Sequence, residues 1–135
     1  MTFDTGHLLE QDVLTFTPRA GEFDMDALAA GLAAIGSSFR DETRPERFVL
    51  TPDIATRDAL RDARRADPAS PFPFMVNVEA HPDQVLVWPA TYLPELKALS
   101  RQLIEWLTTA YECDIENDDG TDMSDRPMAV RAPVP

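Results

Sequence analysis

Residues 72–89 constrain the fold more than any other stretch, because they read as two alternating strands around a polar turn. In FPFMVNVEA, Phe74, Val76 and Val78 fall on one side, and Met75, Asn77 and Glu79 on the other. His81-Pro82-Asp83 turns the chain, and QVLVW returns it before Pro89. A ribbon with a period of two carries one apolar face, which has to be buried against another element. The chain offers such a cover directly afterwards. Leu96, Leu99, Leu103, Trp106 and Ala110 recur at alternating three and four, flanked by Ile104, Leu107 and Tyr111. This spacing predicts a helix over about 93–113, with Pro94 in its first turn. The stripe is wide for a helix that covers one sheet face, so a homodimer contact through residues 93–113 is the alternative to a plain core helix.

The first half of the chain supplies the remaining elements. Residues 11–17 alternate Leu14 and Phe16 with Val13, Thr15 and Thr17, which predicts a strand closed by Pro18. Arg19–Glu22 make a turn around Gly21. A first helix follows, with Asp24 as its cap, Phe23 and Leu28 in staple positions, and Gly36 as a left-handed stop. Its face is Met25, Leu28, Leu32 and Ile35. Residues 37–47 read as a polar connector and Phe48–Leu50 as a short strand. Thr51-Pro52-Asp53 announces a second helix over about 53–66, whose apolar stripe is thin: Ile54, Ala55, Ala59, Leu60 and Ala63. The order is β-α-β-α-β-β-α. It predicts an α+β two-layer sandwich, a mainly antiparallel sheet with helices on one face, and a ferredoxin-like variant as the specific arrangement.

A chain of 135 residues has the size of one domain. Residues 1–113 read as that domain, and residues 114–135 as an acidic, then Pro-rich tail with Met128–Val130 as a candidate edge strand. No apolar run approaches the roughly 18 residues a membrane span requires. The first dozen residues carry no Lys or Arg, unlike a secretory signal, and Cys113 is the lone cysteine, so no disulfide forms within the chain. A cytoplasmic protein is the expectation.

The net charge is −12, from 24 acids against 12 bases. Such a surface repels phosphate backbones, so direct nucleic-acid binding is disfavoured and a basic protein partner is favoured. The competing explanation is background. Eleven Arg to one Lys, with abundant Ala and Pro, also fits the coding bias of a GC-rich genome or a salt-adapted proteome.

The acids are unevenly placed. Residues 1–39 sum to −5 and residues 112–125 to −7, while seven of the eleven arginines lie between 40 and 65 beside six acids. The run 114–125 has the length of an EF-hand loop, but its register fails. Starting at Asp114, the turn position that needs Gly holds Asp119; starting one later, Ile115 and Arg126 hold the first and last ligand positions. His7, His81 and Cys113 show no nucleophile–base or zinc spacing, and the five glycines form no phosphate-binding loop. No catalytic residue, metal ligand or cofactor is therefore assigned.

What remains points to binding. The expected function is that of a non-enzymatic acidic domain, an inhibitor, immunity or chaperone-type partner that masks a basic surface on another protein. Its contact residues are Glu112, Asp114, Glu116, Asp118, Asp119, Asp122 and Asp125. Arg57, Arg61, Arg64 and Arg65 form either a salt-bridged helix face or a second contact surface for an acidic patch. The alternative function is a small-ligand regulatory domain, with a pocket between the sheet and the long helix near Trp88 and Trp106.

Overall fold

Strand alternation and helical stripes resolve into six strands and three longer helices in the computed structural model, which describes residues 8–41, 44–67 and 75–123. In chain order they are β1 (Leu14–Pro18), α1 (Met25–Ile35), β2 (Ser37–Arg40), β3 (Arg47–Thr51), α2 (Ile54–Ala66), β4 (Val76–His81), β5 (Gln84–Trp88), α3 (Pro94–Ala110) and β6 (Cys113–Asn117). All strands join one antiparallel sheet, ordered β2-β3-β4-β5-β1-β6. The α+β class with an antiparallel sheet stands. The strands outnumber the expectation, and the ferredoxin-like arrangement finds no support in this order. No helix among the described residues is long and apolar enough to cross a membrane.

One face of the sheet forms the core. Leu14 and Phe16 of β1, Phe48 and Leu50 of β3, Val76 and Val78 of β4, Val85 and Val87 of β5, and Ile115 of β6 are all buried there. Helices α1 and α3 close this inner face with Leu28, Leu32, Leu96, Leu99, Leu103 and Leu107. The stripe of α3 is spent on this core. Its exposed positions include Glu95, Lys97, Ala98, Gln102, Glu105, Thr109 and Ala110, which fits the plain core helix rather than the alternative of a dimer contact. Leu8 and Leu9, to which the sequence reading gave no role, are buried in the same cluster. His7 lies outside the described residues.

The expectation of helices on one face fails at α2. Phe39 of β2 pairs with Val49 of β3, and both are buried on the alternation opposite to Phe48 and Leu50. They lie on the outer face, and α2 covers them there, in contact with β2 and β3. The thin apolar stripe read from the sequence is mostly not the face that packs. Ala55, Ala59, Ala63 and Ala66 are exposed, as is Ile54 at 60%, while Arg57, Leu60, Arg61 and Arg64 are half-buried. The half-buried set recurs at i, i+3, i+4 and i+7, the spacing of one helix face, so the arginines look at the sheet.

Local chemistry sets the element ends. The Asp24 carboxylate accepts hydrogen bonds from the Asp26 and Ala27 amides at 2.9 and 3.2 Å, which caps α1. Asp53 caps α2 by accepting from Thr56 N at 2.7 Å. Thr51, expected in that cap, instead belongs to β3, with its buried hydroxyl 3.1 Å from Ser37 O and 2.9 Å from Asp53 O. Ser100 of α3 holds the loop after β5 by accepting from Ala90 N and donating to Ala90 O. Gly36 is not a left-handed stop, since its φ of −160° is extended. A side chain there would press on Leu99 Cδ1, 2.6 Å from the Cβ position, so the glycine serves the close approach of α1 to α3.

Gly31 serves the same contact from the middle of α1. A Cβ at this position would collide with the indole of Trp106, which is itself wedged edge-on against Tyr111 at 5.8 Å. The indole is a rigid plate, so relief requires shifting α1 or α3. Gly31→Ala is therefore expected to destabilise the fold by about 1–3 kcal/mol despite its better helix propensity. Chemical denaturation measures this, and an unchanged or raised midpoint would refute the wedge.

Candidate functional site

The acidic run expected as a tail is built into the sheet. Cys113 and Ile115 point to the core, which directs Asp114 and Glu116 to the outer face, opposite Thr17 and Thr15 of β1. Period-two alternation thus separates apolar from acidic residues within a single strand. After β6 the chain turns through Asn117–Gly120. The Asn117 side-chain oxygen accepts from the Asp119 and Thr121 amides at 3.0 and 2.9 Å, and Gly120 supplies the left-handed φ of 80°. It then comes back along β6, where Glu116 bridges to Asp122, the Met123 amide donates to Ile115 O, and the Met123 side chain is buried.

Glu112, Asp114, Glu116, Asp118, Asp119 and Asp122 are accordingly presented together along one edge of the sheet, all exposed. Arg19 pairs with Asp114 at 3.0 Å. Glu112, Glu116, Asp118 and Asp119 have no ion pair among the described residues. Asp125 and Met128–Val130 lie outside those residues. The described residues contain no group of three or more His, Cys, Asp or Glu placed to hold a metal ion.

Of the arginines read either as a salt-bridged helix face or as a second contact surface, three are half-buried and ion-paired. Arg57 and Arg61 both reach Asp58, at 2.9 and 3.1 Å, and Arg61 also lies 3.6 Å from Asp62. Arg64, with only 14% of its side chain exposed, meets the fully buried Asp41 carboxylate at 3.3 Å. Arg65 is the member of the set that is exposed. Asp41 sits just past β2 on the same alternation as Phe39, so this buried pair fastens α2 to the outer face.

Among the described residues, no helix lies over the rest of the outer face. Asn77, Trp88, Leu86 and Thr15 run across β4, β5 and β1 in register, each half-buried. Beside them Glu79 is held between two bases, 3.2 Å from Arg47 Nη2 and 2.9 Å from His81 Nε2, while Arg47 also stacks over Trp88 at 5.4 Å. The His81 hydrogen bond is the main cause that holds the Glu79 carboxyl below its ordinary value, helped by Arg47 against the opposing effect of burial. Its pairing therefore contributes stability above the ordinary glutamate pKa and loses it as pH falls through the lowered one.

The two tryptophans do not share a pocket. Trp106 lies with α3 on the inner face against Gly31 and Tyr111, and Trp88 lies on the outer face under Arg47. The sheet separates them. Sequence reading missed Arg47, Glu79, Leu86 and Thr15 as members of one surface. Their only signal was alternation, in that each is the outward neighbour of a core residue.

Cys113, expected at a helix end, is a buried β6 residue. Burial pushes its thiol up to about 11, against a smaller lowering by Arg19. At pH 8 this leaves about a hundredfold less thiolate than an ordinary thiol of pKa 9.0 would show. Alkylation of the native chain should be slower than that of the denatured chain by at least that factor, and equal rates would contradict the placement. A second expectation concerns the fastening of α2. Asp41→Ala removes the buried carboxylate that Arg64 meets beneath the helix and should cost about 3 kcal/mol in a denaturant titration. Amide exchange should rise first in α2, and uniform protection would disprove this anchoring.

Searches against family models, curated proteins and solved structures return no match to this chain, so its activity has to be read from its own surfaces.

Proposed function

We propose that this chain is a non-enzymatic protein-binding domain whose acidic sheet edge masks a basic surface on another protein, in the manner of an inhibitor, immunity or chaperone-type partner. The observation that carries this reading is the edge itself. Glu112, Glu116, Asp118 and Asp119 are exposed without an ion pair among the described residues, on a strand and a hydrogen-bonded turn. Carboxylates held by a strand and an Asn-stabilised turn lose less freedom on binding than carboxylates on a loose tail. In a chain of net charge −12, such an edge steers encounter with a cationic surface and disfavours an anionic one.

Nothing in the core depends on these side chains, because Ile115 and Met123 supply the burial and Asn117 supplies the turn. Neutralising Glu116, Asp118, Asp119 and Asp122 to their amides should leave the fold intact. With a partner captured from the source organism, the association rate should fall about tenfold or more, and its dependence on salt should flatten. Surface plasmon resonance across a salt series measures both. Association indifferent to salt and to the quadruple change would reduce the edge to a solubility device, and capture of no protein at low salt would sink the reading.

A further inference from the structure

The two faces of the sheet are covered unequally. On the inner face, α1 and α3 together span the core. On the outer face, α2 packs on β2 and β3, and no other described helix lies over β4, β5, β1 and β6. Four strands spaced by about 4.8 Å present a strip roughly 14 Å across, wide enough for one helix of about 10 Å diameter laid beside α2. The strands of β5, β1 and β6 are five residues each, so the strip is about 17 Å long, or some three helical turns.

The chemistry of the strip is graded across its width. Its middle is apolar, with Trp88 and Leu86 half-buried in β5. Its outer margin carries Glu116 and Asp114 on the same face by register with β1, Asp114 being paired with Arg19 at 3.0 Å. Thr15 and Thr17 lie between these two zones without bulk. A helix that complements this gradient carries apolar residues at i, i+3, i+4 and i+7 over Leu86 and Trp88, with Lys or Arg along the side that faces β6.

We infer that the open half of the outer face is the seat of a basic amphipathic helix from a partner protein, which completes the layer that α2 begins. This inference rests on the acidic protein-binding reading and adds a location and a shape to it. Charge selects the occupant. A second copy of the chain would bring another net −12 to the same margin.

The test uses a synthetic 18-residue peptide of Leu and Lys with an amphipathic helical pattern. Its control is an isomer of identical composition with the Leu residues spread around the helix. Binding to the full chain is measured by calorimetry, and the contact is mapped by amide chemical shifts. The amphipathic peptide should bind at least about tenfold more tightly than its isomer, with shifts centred on Thr15, Thr17, Leu86 and Trp88. Leu86→Thr should remove most of that difference. The mapping on the unaltered chain decides the matter if that variant folds poorly.

Equal affinities, or shifts confined to residues 117–120, would overturn the helix seat while leaving the acidic-edge reading in place. Binding of neither peptide at low salt would overturn both. A dimer of the chain alone, made monomeric by Leu86→Thr, would give the face to a second copy and refute the inference.

Discussion

Five antiparallel registers lock the period of two in every strand, and from that constraint the rest of the molecule follows. Once Phe16 of β1 is buried opposite Val85, each neighbouring strand has its parity set, out to Phe39 at one edge and Glu116 at the other. A shift of one residue in β6 would place Asp114 and Glu116 in the core and Ile115 outside it. Burying two unpaired carboxylates would cost far more than an edge strand contributes. The acids of β6 therefore fix its register as firmly as its apolar residues do, and the acidic edge is a consequence of the core.

The same parity explains why α2 shows its arginines to the sheet. The outer surface of β2 and β3 offers two buried apolar residues, Phe39 and Val49, and one buried anion, Asp41. An alanine face would leave the anion without a charge partner and reach the sheet poorly. Arginine brings an aliphatic stem for the apolar floor and a guanidinium for the carboxylate. Asp58 and Asp62 take up part of the charge of Arg57 and Arg61 from within the helix. The helix is held by polar anchoring over a small apolar contact, whereas α3 is held by a continuous leucine stripe.

Much of the fold was legible because its strongest signals are local. The 76–88 hairpin, β1, α1 with its Asp24 cap, the start of α2 near Asp53 and the leucine stripe of α3 follow from periodicity and termini alone. What escaped was decided by tertiary partners. β2 contains a single large apolar residue, Phe39, so SSFR has no strand signature until Val49 pairs with it. β6 alternates Cys113 and Ile115 with acids, but the run of charge continuing to Asp122 hid the alternation. Trp88 and Trp106 were assigned to one pocket because sequence assigns an aromatic to burial without naming a side of the sheet. The acidic residues of the candidate site were found by composition. Arg47, Glu79 and Leu86 were not, since an outward neighbour in a strand carries no mark of its own.

An edge strand rich in acids has a second physical meaning, protection against pairing with another sheet. Residues 121–123 already come back along the free side of β6, where Asp122 bridges Glu116 and the Met123 amide bonds to Ile115 O. Outward charge at Asp114 and Glu116 adds to this shielding, and Arg19 pairs with the first of them. Glu112 precedes the strand, and Asp118 and Asp119 sit in the turn beyond it. Their carboxylates do nothing to block a ladder. Protection of the edge accounts for two of these acids, and under the proposed reading the others are the electrostatic complement of an approaching cationic surface.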